Sequence, residues 1–375
     1  MSSANSVRLL RLGNTTESIP VIGQGTGGLG GYFNPDLSSD RKFIEGLRFG
    51  LDLGLKFIDT AEIYGGGHTE QLIGQAIAGR RSEVIIATKF SPENSHPQEI
   101  IKSAENSLRR LNIDYIDLYQ THWPNSSVPF IETLHAMRSL VERGIVRWLG
   151  LCNPTIDDLL VAVKFLGADI LVSVQSEYNL LERSVENQLL GLCDKYNLTF
   201  IAYSPLLKGR SIQEHRSFAQ MVEISLRYQS SISTLTLAWL VAQSKVVAIP
   251  RSLQPNHIKE NAAAGMLQLD PTDIGIISGL FEPNILLVQT DIIDVIPAVD
   301  RNVYTTLEQA KLNKDNMVPS PLEIAEQFLR GEIPKPIKLR KLENGRFALI
   351  EGRLKYWGWV IAFGRVRPIP AVIEV

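Results

Sequence analysis

Four side chains in the first third of the chain have the types and placement for proton chemistry: Asp59, Tyr64, Lys89 and His122. Each lies at or just past the end of an apolar run, in the segments FIDTAEIYGGG, VIIATKF and IDLYQTHW. A phenol is a poor acid at neutral pH, with a reference pKa of about 10, but a neighbouring ammonium stabilises the phenolate and lowers that value. Lys89 is the expected ammonium and Asp59 its holder and counter-charge. His122 is placed to orient a carbonyl oxygen beside the Tyr64 hydroxyl. Such a set can hand a proton to a carbonyl oxygen, while the hydride that completes a reduction must come from a cofactor, because no side chain supplies one. Taken singly, each residue has an ordinary alternative: Tyr64 as a half-buried rim residue, Lys89 as a surface charge, Asp59 as a turn or cap residue, His122 as a satisfied polar neighbour.

For the four to meet, their runs must be neighbouring strands that end at one rim. From about Val21 the sequence alternates short apolar runs with longer amphipathic segments, the pattern of βα units around a parallel sheet. The strand candidates are VIGQGTG from Val21, KFIDTA from Lys56, VIIATKF from Val84, IDLYQTHW from Ile116, VRWLGLCN from Val146, LVSVQSEYN from Leu171, TFIAYSPL from Thr199 and VVAIPRS from Val246. Eight such units favour an α/β fold of the (β/α)8 TIM-barrel kind, whose active sites gather at the C-terminal strand ends. HPQEIIKSAENSLRRLN and PFIETLHAMRSLVERG read as helices between strands, the second closed by Gly144. RLLRLGNTTESIP, before Val21, has hairpin character and is expected to plug the barrel floor.

The alternation stops near Phe281. Strand patterns in ILLVQTDIIDVI, PIKLRKL, RFALIEG and IPAVIEV, with a helix at PSPLEIAEQFLRG, then describe a small separate α/β unit. The expected division is therefore 1–283 for the barrel and 284–375 for the second unit.

Composition narrows the class. A chain of 375 residues, 44% hydrophobic and 21% charged, is globular, and a net charge of -2 gives no general attraction for nucleic acid or an anionic membrane. The two cysteines, Cys152 and Cys193, have neither metal-ligand spacing nor a CxxC arrangement; no metal is expected, and a reducing compartment fits. The N-terminal residues carry no signal-peptide apolar region and no stretch of about 18 apolar residues occurs, so the expected address is the cytoplasm.

Residues 1 to about 280 resemble the aldo-keto reductase family. FIDTAEIYGGGHTEQLIGQAI is similar to its Asp-and-Tyr signature, ATK and QTHWP follow in family order, and GLCNP, VQSEYNLLER, AYSPL and IPRS with HIKEN resemble further family segments. The resemblance implies a catalytic tetrad at Asp59, Tyr64, Lys89 and His122 and a site for NADPH. By the same resemblance Gly25 and Thr26 lie beneath the nicotinamide, Asn153 and Gln175 bind its carboxamide, and Tyr203 stacks on its ring. Ser204, Leu206 and Gly209 lie along the pyrophosphate. Arg251 and Ser252 match a pair that contacts a 2′-phosphate, and Glu260 and Asn261 match adenine-binding residues. His257 stands where many members carry a second arginine, so NADH is the other candidate cofactor. Cys152 replaces the usual serine before Asn153. Between Leu206 and Ser231 the sequence leaves room for a short helix rather than a long loop over the cofactor. Tyr32, Phe33 and Trp123 are candidates for lining the substrate pocket, with aromatic rim packing as their ordinary reading.

The last ninety or so residues resemble the ParB and sulfiredoxin-like superfamily through Glu351-Gly352, the basic helix start at Arg353 and Lys355, and the closing IPAVIEV strand. In that superfamily a glycine followed by basic residues at a helix N-terminus holds nucleotide phosphates. This region has no cysteine, so it lacks the sulfiredoxin nucleophile, and Leu354-Lys355 replaces the paired basic residues of nucleotide-binding members. Docking or oligomerisation is the other use of the unit. Tyr356, Trp357 and Trp359 beside basic residues admit single-stranded nucleic acid, but their spacing is that of a packed helix. The leading expectation is NAD(P)H-dependent interconversion of a small-molecule carbonyl (aldehyde, ketone or sugar-like) and an alcohol with Tyr64 as general acid/base. The alternative is a cofactor-sensing scaffold whose C-terminal unit binds a nucleotide or acts as a small-molecule kinase or regulator.

Overall fold

Apolar runs of three to seven residues separated by amphipathic stretches fold here into strands and returning helices. The computed structural model describes residues 6–207, 212–215, 217–281, 285–295, 304–314, 317, 319–330 and 336–374. The chain divides into two compact units, Met1–Phe281 and Glu282–Val375.

In the first unit β1 (Leu9–Arg11) and β2 (Ser18–Pro20) form an antiparallel hairpin. Eight parallel strands follow in sheet order: β3 (Gln24–Gly25), β4 (Phe57–Asp59), β5 (Ile85–Phe90), β6 (Ile116–Thr121), β7 (Val146–Cys152), β8 (Leu171–Glu177), β9 (Thr199–Tyr203) and β10 (Val246–Ala248). A parallel bridge between Ile22 and Ala248 joins the last strand to the first and closes the barrel. One helix follows each strand from β3 to β8: α1 (Asp40–Asp52), α2 (His68–Ala76), α3 (Pro97–Leu111), α4 (Phe130–Glu142), α5 (Ile156–Leu166) and α6 (Leu189–Tyr196). Between β9 and β10 lie α7 (Phe218–Arg227) and α8 (Ile232–Val241), and α9 (Pro255–Ala264) and α10 (Pro271–Leu280) follow β10.

The local reasons are legible. In α3, Pro97 occupies the first turn, where its missing N–H is no loss, and Ile100, Ala104, Ser107 and Leu111 recur at helical spacing as the buried face. The strand expected from Val21 is laddered only at Gln24–Gly25, and a Cβ on Gly25 would lie 2.5 Å from the Ile249 carbonyl oxygen: the rim there is built on close backbone approach. The hairpin caps the barrel interior. Leu12 and Ile19, both 0% exposed, pack with Phe57, Ala87, Leu118, Val172, Ile201, Val247 and Ile249, and Gly13 N donates to Thr199 Oγ1 at 2.9 Å.

The second unit contains β11 (Ile285–Val288), β12 (Ile293–Asp294), α11 (Leu307–Lys311), α12 (Pro321–Leu329), β13 (Ile337–Lys341), β14 (Phe347–Glu351), α13 (Arg353–Phe363) and β15 (Ile369–Glu374). Its mixed sheet runs β11-β15-β13-β14-β12. Tyr356 and Trp357 are fully buried; the Trp357 indole N–H donates to Tyr304 O at 2.8 Å and the Tyr356 hydroxyl to Thr290 O at 3.1 Å. Trp359 packs edge-on to Phe328 of α12. These rings are core rather than a stacking platform for bases. Among the described residues no helix is long and apolar enough to cross a membrane.

Leu12→Ala should destabilise the barrel by about 3 kcal/mol, the cost of deleting a fully buried leucine from a packed core; denaturant unfolding of the variant checks this.

Candidate active site

Asp59 ends β4, Lys89 is the penultimate residue of β5, and His122 directly follows β6, so three adjacent strands deliver them to one rim. Tyr64 opens a tight turn, Tyr64–Gly67, after β4. Gly65 and Gly66 have φ of 57° and 60°, and a Cβ on Gly65 would lie 2.4 Å from Gly30 O. Only glycine accepts both that conformation and that contact, so the YGGG run is the device that aims the phenol. Gly65 N donates to Tyr32 O at 2.8 Å, tying this turn to the loop after β3.

The Lys89 ammonium, fully buried, donates to Asp59 Oδ1 at 2.6 Å and to Thr60 O at 2.9 Å. Gln175 Nε2 donates to the other Asp59 oxygen at 2.8 Å. The Lys89 ammonium lies 5.6 Å from the Tyr64 ring centre. The His122 ring meets the Tyr64 ring edge to face at 5.6 Å and stacks on Trp123 at 3.8 Å.

Burial opposes the Lys89 charge, but Asp59, followed by Tyr64 and Cys152, more than offsets it, and the lysine pKa ends above its ordinary value. His122 is pushed down to about 2, first by burial and then by the Lys89 ammonium, so its imidazole is neutral throughout the working range. The expectation for Tyr64 requires correction. Its pKa is raised, not lowered, because burial outweighs the pull of Lys89, and Asp59 and Cys152 add to the rise.

The remaining expected residues surround this cluster. Thr26 is buried, and its N–H and hydroxyl both donate to Asp59 O, at 3.1 and 2.9 Å. Asn153, at φ 54°, donates from Nδ2 to His122 O at 3.2 Å and accepts the Tyr203 hydroxyl at 3.0 Å. Ser204, also at positive φ, accepts from Asn179 Nδ2 through its carbonyl at 3.1 Å, and Leu206 is half-buried beside it. Gly209 lies outside the described residues. A pocket between β3, the segment after β10 and α9 is lined by Gly23, Gln24, Gly25, Ser252, Leu253 and Asn261, among others. Arg251 is exposed and donates to Gly27 O, Ser252 Oγ accepts from Gln254 N at 3.0 Å, and His257 and Glu260 lie on α9, the first exposed and the second half-buried. The donor set, with the Arg251 guanidinium between the pocket-lining Pro250 and Ser252 in the chain, is chemically suited to a phosphate-bearing cofactor.

Trp123 is 43% exposed, Tyr32 67% and Phe33 70%, all on segments that lead from the strand ends. Two participants were not among the expected site residues. The Cys152 thiol donates to Gln175 Oε1 at 3.6 Å and is pushed up to about 12 by burial, so it is a neutral part of the site. Glu62 accepts from Ser91 N at 2.7 Å and Asn94 Nδ2 at 2.8 Å, pinning the loops after β4 and β5 together. Its position three residues beyond Asp59 in the same motif was the available signal. In the second unit, Gly352 caps α13 at φ 95°, the Glu351 carboxylate pairs with Lys338, and Arg353 and Lys355 are half-buried in the first turn. Among the described residues no group of His, Cys, Asp and Glu could hold a metal.

A closed (β/α)8 barrel with a buried Lys-Asp pair, a phenol and a neutral imidazole gathered at its C-terminal rim is the arrangement of a barrel enzyme. Residues 21–282 match the Aldo/keto reductase family, and the chain belongs to it; it is an NAD(P)-dependent oxidoreductase of that family. Methylglyoxal reductase YeaE of Escherichia coli is 35% identical over 261 residues, which cover 69% of this chain and 90% of that protein. The thermostable aldo-keto reductase Tm1743, solved with the inhibitor epalrestat, superposes with a TM-score of 0.69 at 38% identity over 73% of this chain and 99% of that one. An aldo/keto reductase from Klebsiella pneumoniae, solved with NADP and acetate, gives 0.68 at 31% identity over 73% and 95%.

Lys89→Met should destabilise the fold by about 3–5 kcal/mol, because it strands the buried Asp59 carboxylate without its partner; thermal or denaturant unfolding checks this.

Proposed function

We propose that this site interconverts a small carbonyl compound and its alcohol, with Tyr64 as the group that gives the proton to, or takes it from, the substrate oxygen. The observation that carries the reading is the fully buried Lys89–Asp59 pair set against the Tyr64 phenol, with a neutral His122 edge-on to the same ring. When bound, the nicotinamide supplies the hydride. Asp59 holds Lys89 in place, Lys89 supports the phenol as it releases its proton, and the neutral imidazole donates to the carbonyl oxygen without competing as an acid.

The cofactor would be held by Gly25, Thr26, Asn153, Gln175 and Tyr203 at the nicotinamide end and by Ser204 and Leu206 along the pyrophosphate. Arg251, Ser252, His257, Glu260 and Asn261 would take the adenosine end. Arg251 favours NADPH, in keeping with the NADP of the Klebsiella relative, since a guanidinium suits phosphate by charge and fork geometry. YeaE being a methylglyoxal reductase, methylglyoxal is the first substrate to assay, with Trp123, Tyr32 and Phe33 lining the approach. The protein is proposed to work in the cytoplasm, in keeping with two free cysteines. Residues 1–283 are proposed as the reductase domain and 284–375 as a ParB/sulfiredoxin-like domain. For that domain we favour docking over nucleotide binding, since the Glu351 carboxylate beside Gly352 would repel a phosphate and already engages Lys338.

Tyr64→Phe should lower turnover by about 10²–10⁴-fold while leaving NADPH binding, followed by fluorescence titration, nearly unchanged; wild-type turnover in that variant would sink the assignment. The pH profile has a definite sign. With the Tyr64 pKa above its ordinary value the phenol stays protonated through neutrality, so reduction should hold level there and fall only above about pH 10, while alcohol oxidation should rise toward alkaline pH. Initial rates in both directions test this. Arg251→Ala should raise the KM for NADPH about tenfold or more and leave that for NADH little changed, as expected on losing one charge-assisted hydrogen bond.

A further inference from the structure

Four consecutive residues across the end of β5, Lys89 to Pro92, are each hydrogen-bonded to a neighbouring segment of the rim, and the bonds alternate between the two sides. Glu62 N donates to Lys89 O at 3.1 Å, and His122 N donates to Phe90 O at 3.1 Å. Ser91 N donates to Glu62 Oε1 at 2.7 Å, and Asn125 Nδ2 donates to Pro92 O at 2.7 Å. The first and third bonds hold the loop after β4, two residues before Tyr64. The second and fourth hold the segment after β6, which carries His122 and Trp123. Backbone pairing makes two of the four. The other two are made by the side chains of Glu62 and Asn125, beyond the point where the strand ladders stop.

Both side chains are doubly engaged: Glu62 Oε1 also accepts from Asn94 Nδ2 at 2.8 Å, and Asn125 Oδ1 accepts from Ser127 N at 2.9 Å. The segments they hold have weak means of their own. The three glycines after Tyr64 let the chain turn sharply, but glycine is the most permissive backbone, so the entry to that turn has to be fixed from outside it. On the other side Pro124 has no N–H with which to tie down the chain after Trp123. Trp123 is 43% exposed, and its stacking on His122 at 3.8 Å depends on where that chain runs. The Tyr64 and His122 rings stand 5.6 Å apart, and two groups that serve one carbonyl oxygen tolerate little error in their spacing.

We propose that Glu62 and Asn125 are positioning residues for the reaction: through the Lys89 to Pro92 segment they fix Tyr64 from one side and His122 with Trp123 from the other, and so set the gap that receives the carbonyl oxygen. Glu62 serves here as a hydrogen-bond acceptor rather than as a charge, because the partners on its Oε1 are neutral N–H groups. Glutamine in its place keeps that oxygen, whereas alanine removes it. Asn125→Asp is the matching change on the other side: it keeps the acceptor for Ser127 N and removes the donor to Pro92 O. The functional part rests on the reading of Tyr64 and His122 as the groups at the substrate oxygen; the ring geometry is measured without turnover.

The experiment compares Glu62→Ala, Glu62→Gln and Asn125→Asp with the wild type, all as the full chain. One readout is steady-state kinetics with NADPH and methylglyoxal. The other is the NMR shift of the His122 ring protons, which lie in the ring current of Trp123 and are assigned by their loss in His122→Gln. Glu62→Ala should lose about 10- to 100-fold in kcat with the KM for NADPH held within about twofold, the size of effect expected from a small misplacement of a reacting group. Glu62→Gln should recover most of that loss, and Asn125→Asp should lower kcat by a similar factor while moving the His122 ring shifts. A kcat untouched in both Glu62→Ala and Asn125→Asp, a Glu62→Gln no better than Glu62→Ala, or His122 shifts unmoved by Asn125→Asp overturns the proposal. If Glu62→Ala fails to fold, Asn125→Asp, at a half-buried loop position, carries the test. Full turnover in Tyr64→Phe would instead count against the functional reading, since the ring geometry would stand.

Discussion

The pair between the Lys89 ammonium and the Asp59 carboxylate is the interaction on which the rim is organised. Two opposite charges inside a barrel are tolerated only when each is bonded on every side, because desolvation outweighs the attraction of a badly placed pair. Here Asp59 receives Lys89 on one oxygen and Gln175 on the other, while its own carbonyl takes both donors of Thr26. Lys89 in turn reaches the Thr60 carbonyl. Strands β3, β4, β5 and β8 are thereby bound to a single charged centre, and the phenol and imidazole stand around something that cannot shift without leaving a charge exposed to the core.

That arrangement explains the electrostatic character of the site. Burial outweighs the pull of the Lys89 ammonium on Tyr64, and the nearby Asp59 charge adds to it, so the phenol stays protonated. The same ammonium helps to keep His122 neutral. A neutral acid beside a neutral donor suits an oxygen that gains negative charge during reduction, because neither has to lose a charge of its own before the reaction begins.

Rigidity below and permissiveness above complete the design. Leu12 and Ile19 fill the barrel interior from the hairpin side, whereas the reacting rim is built from glycines: Gly25 against the Ile249 carbonyl and Gly65 against the Gly30 carbonyl. Both contacts exclude any side chain: the first presses β3 on the segment after β10, and the second presses together the loops after β3 and β4 and aims Tyr64. Glu62 performs the corresponding service between the loops after β4 and β5.

Much of this was legible in the chain before any coordinates. The eight apolar runs, the two clear amphipathic helices, the plugging hairpin and the positions of Asp59, Tyr64, Lys89 and His122 follow from periodicity and from where runs end, since a parallel barrel must present its strand ends at one rim. Other features were beyond one-dimensional reading. The direction of the Tyr64 shift depends on how much water the fold removes and on how the Lys89, Asp59 and Cys152 groups balance around the phenol, neither of which spacing reveals. The amides of Gln175 and Asn153 engage Asp59, His122 and Tyr203, contacts made across 116, 31 and 50 residues of chain. The bonds that Glu62 and Asn125 make to Ser91 and Pro92 exist only because three successive loops meet at one rim. The sequence by itself determined which chemistry the chain carries, because reactive residue types and strand ends are local properties. Tertiary structure alone decided their protonation and pairing, because both depend on desolvation and on neighbours that only the closed barrel brings together.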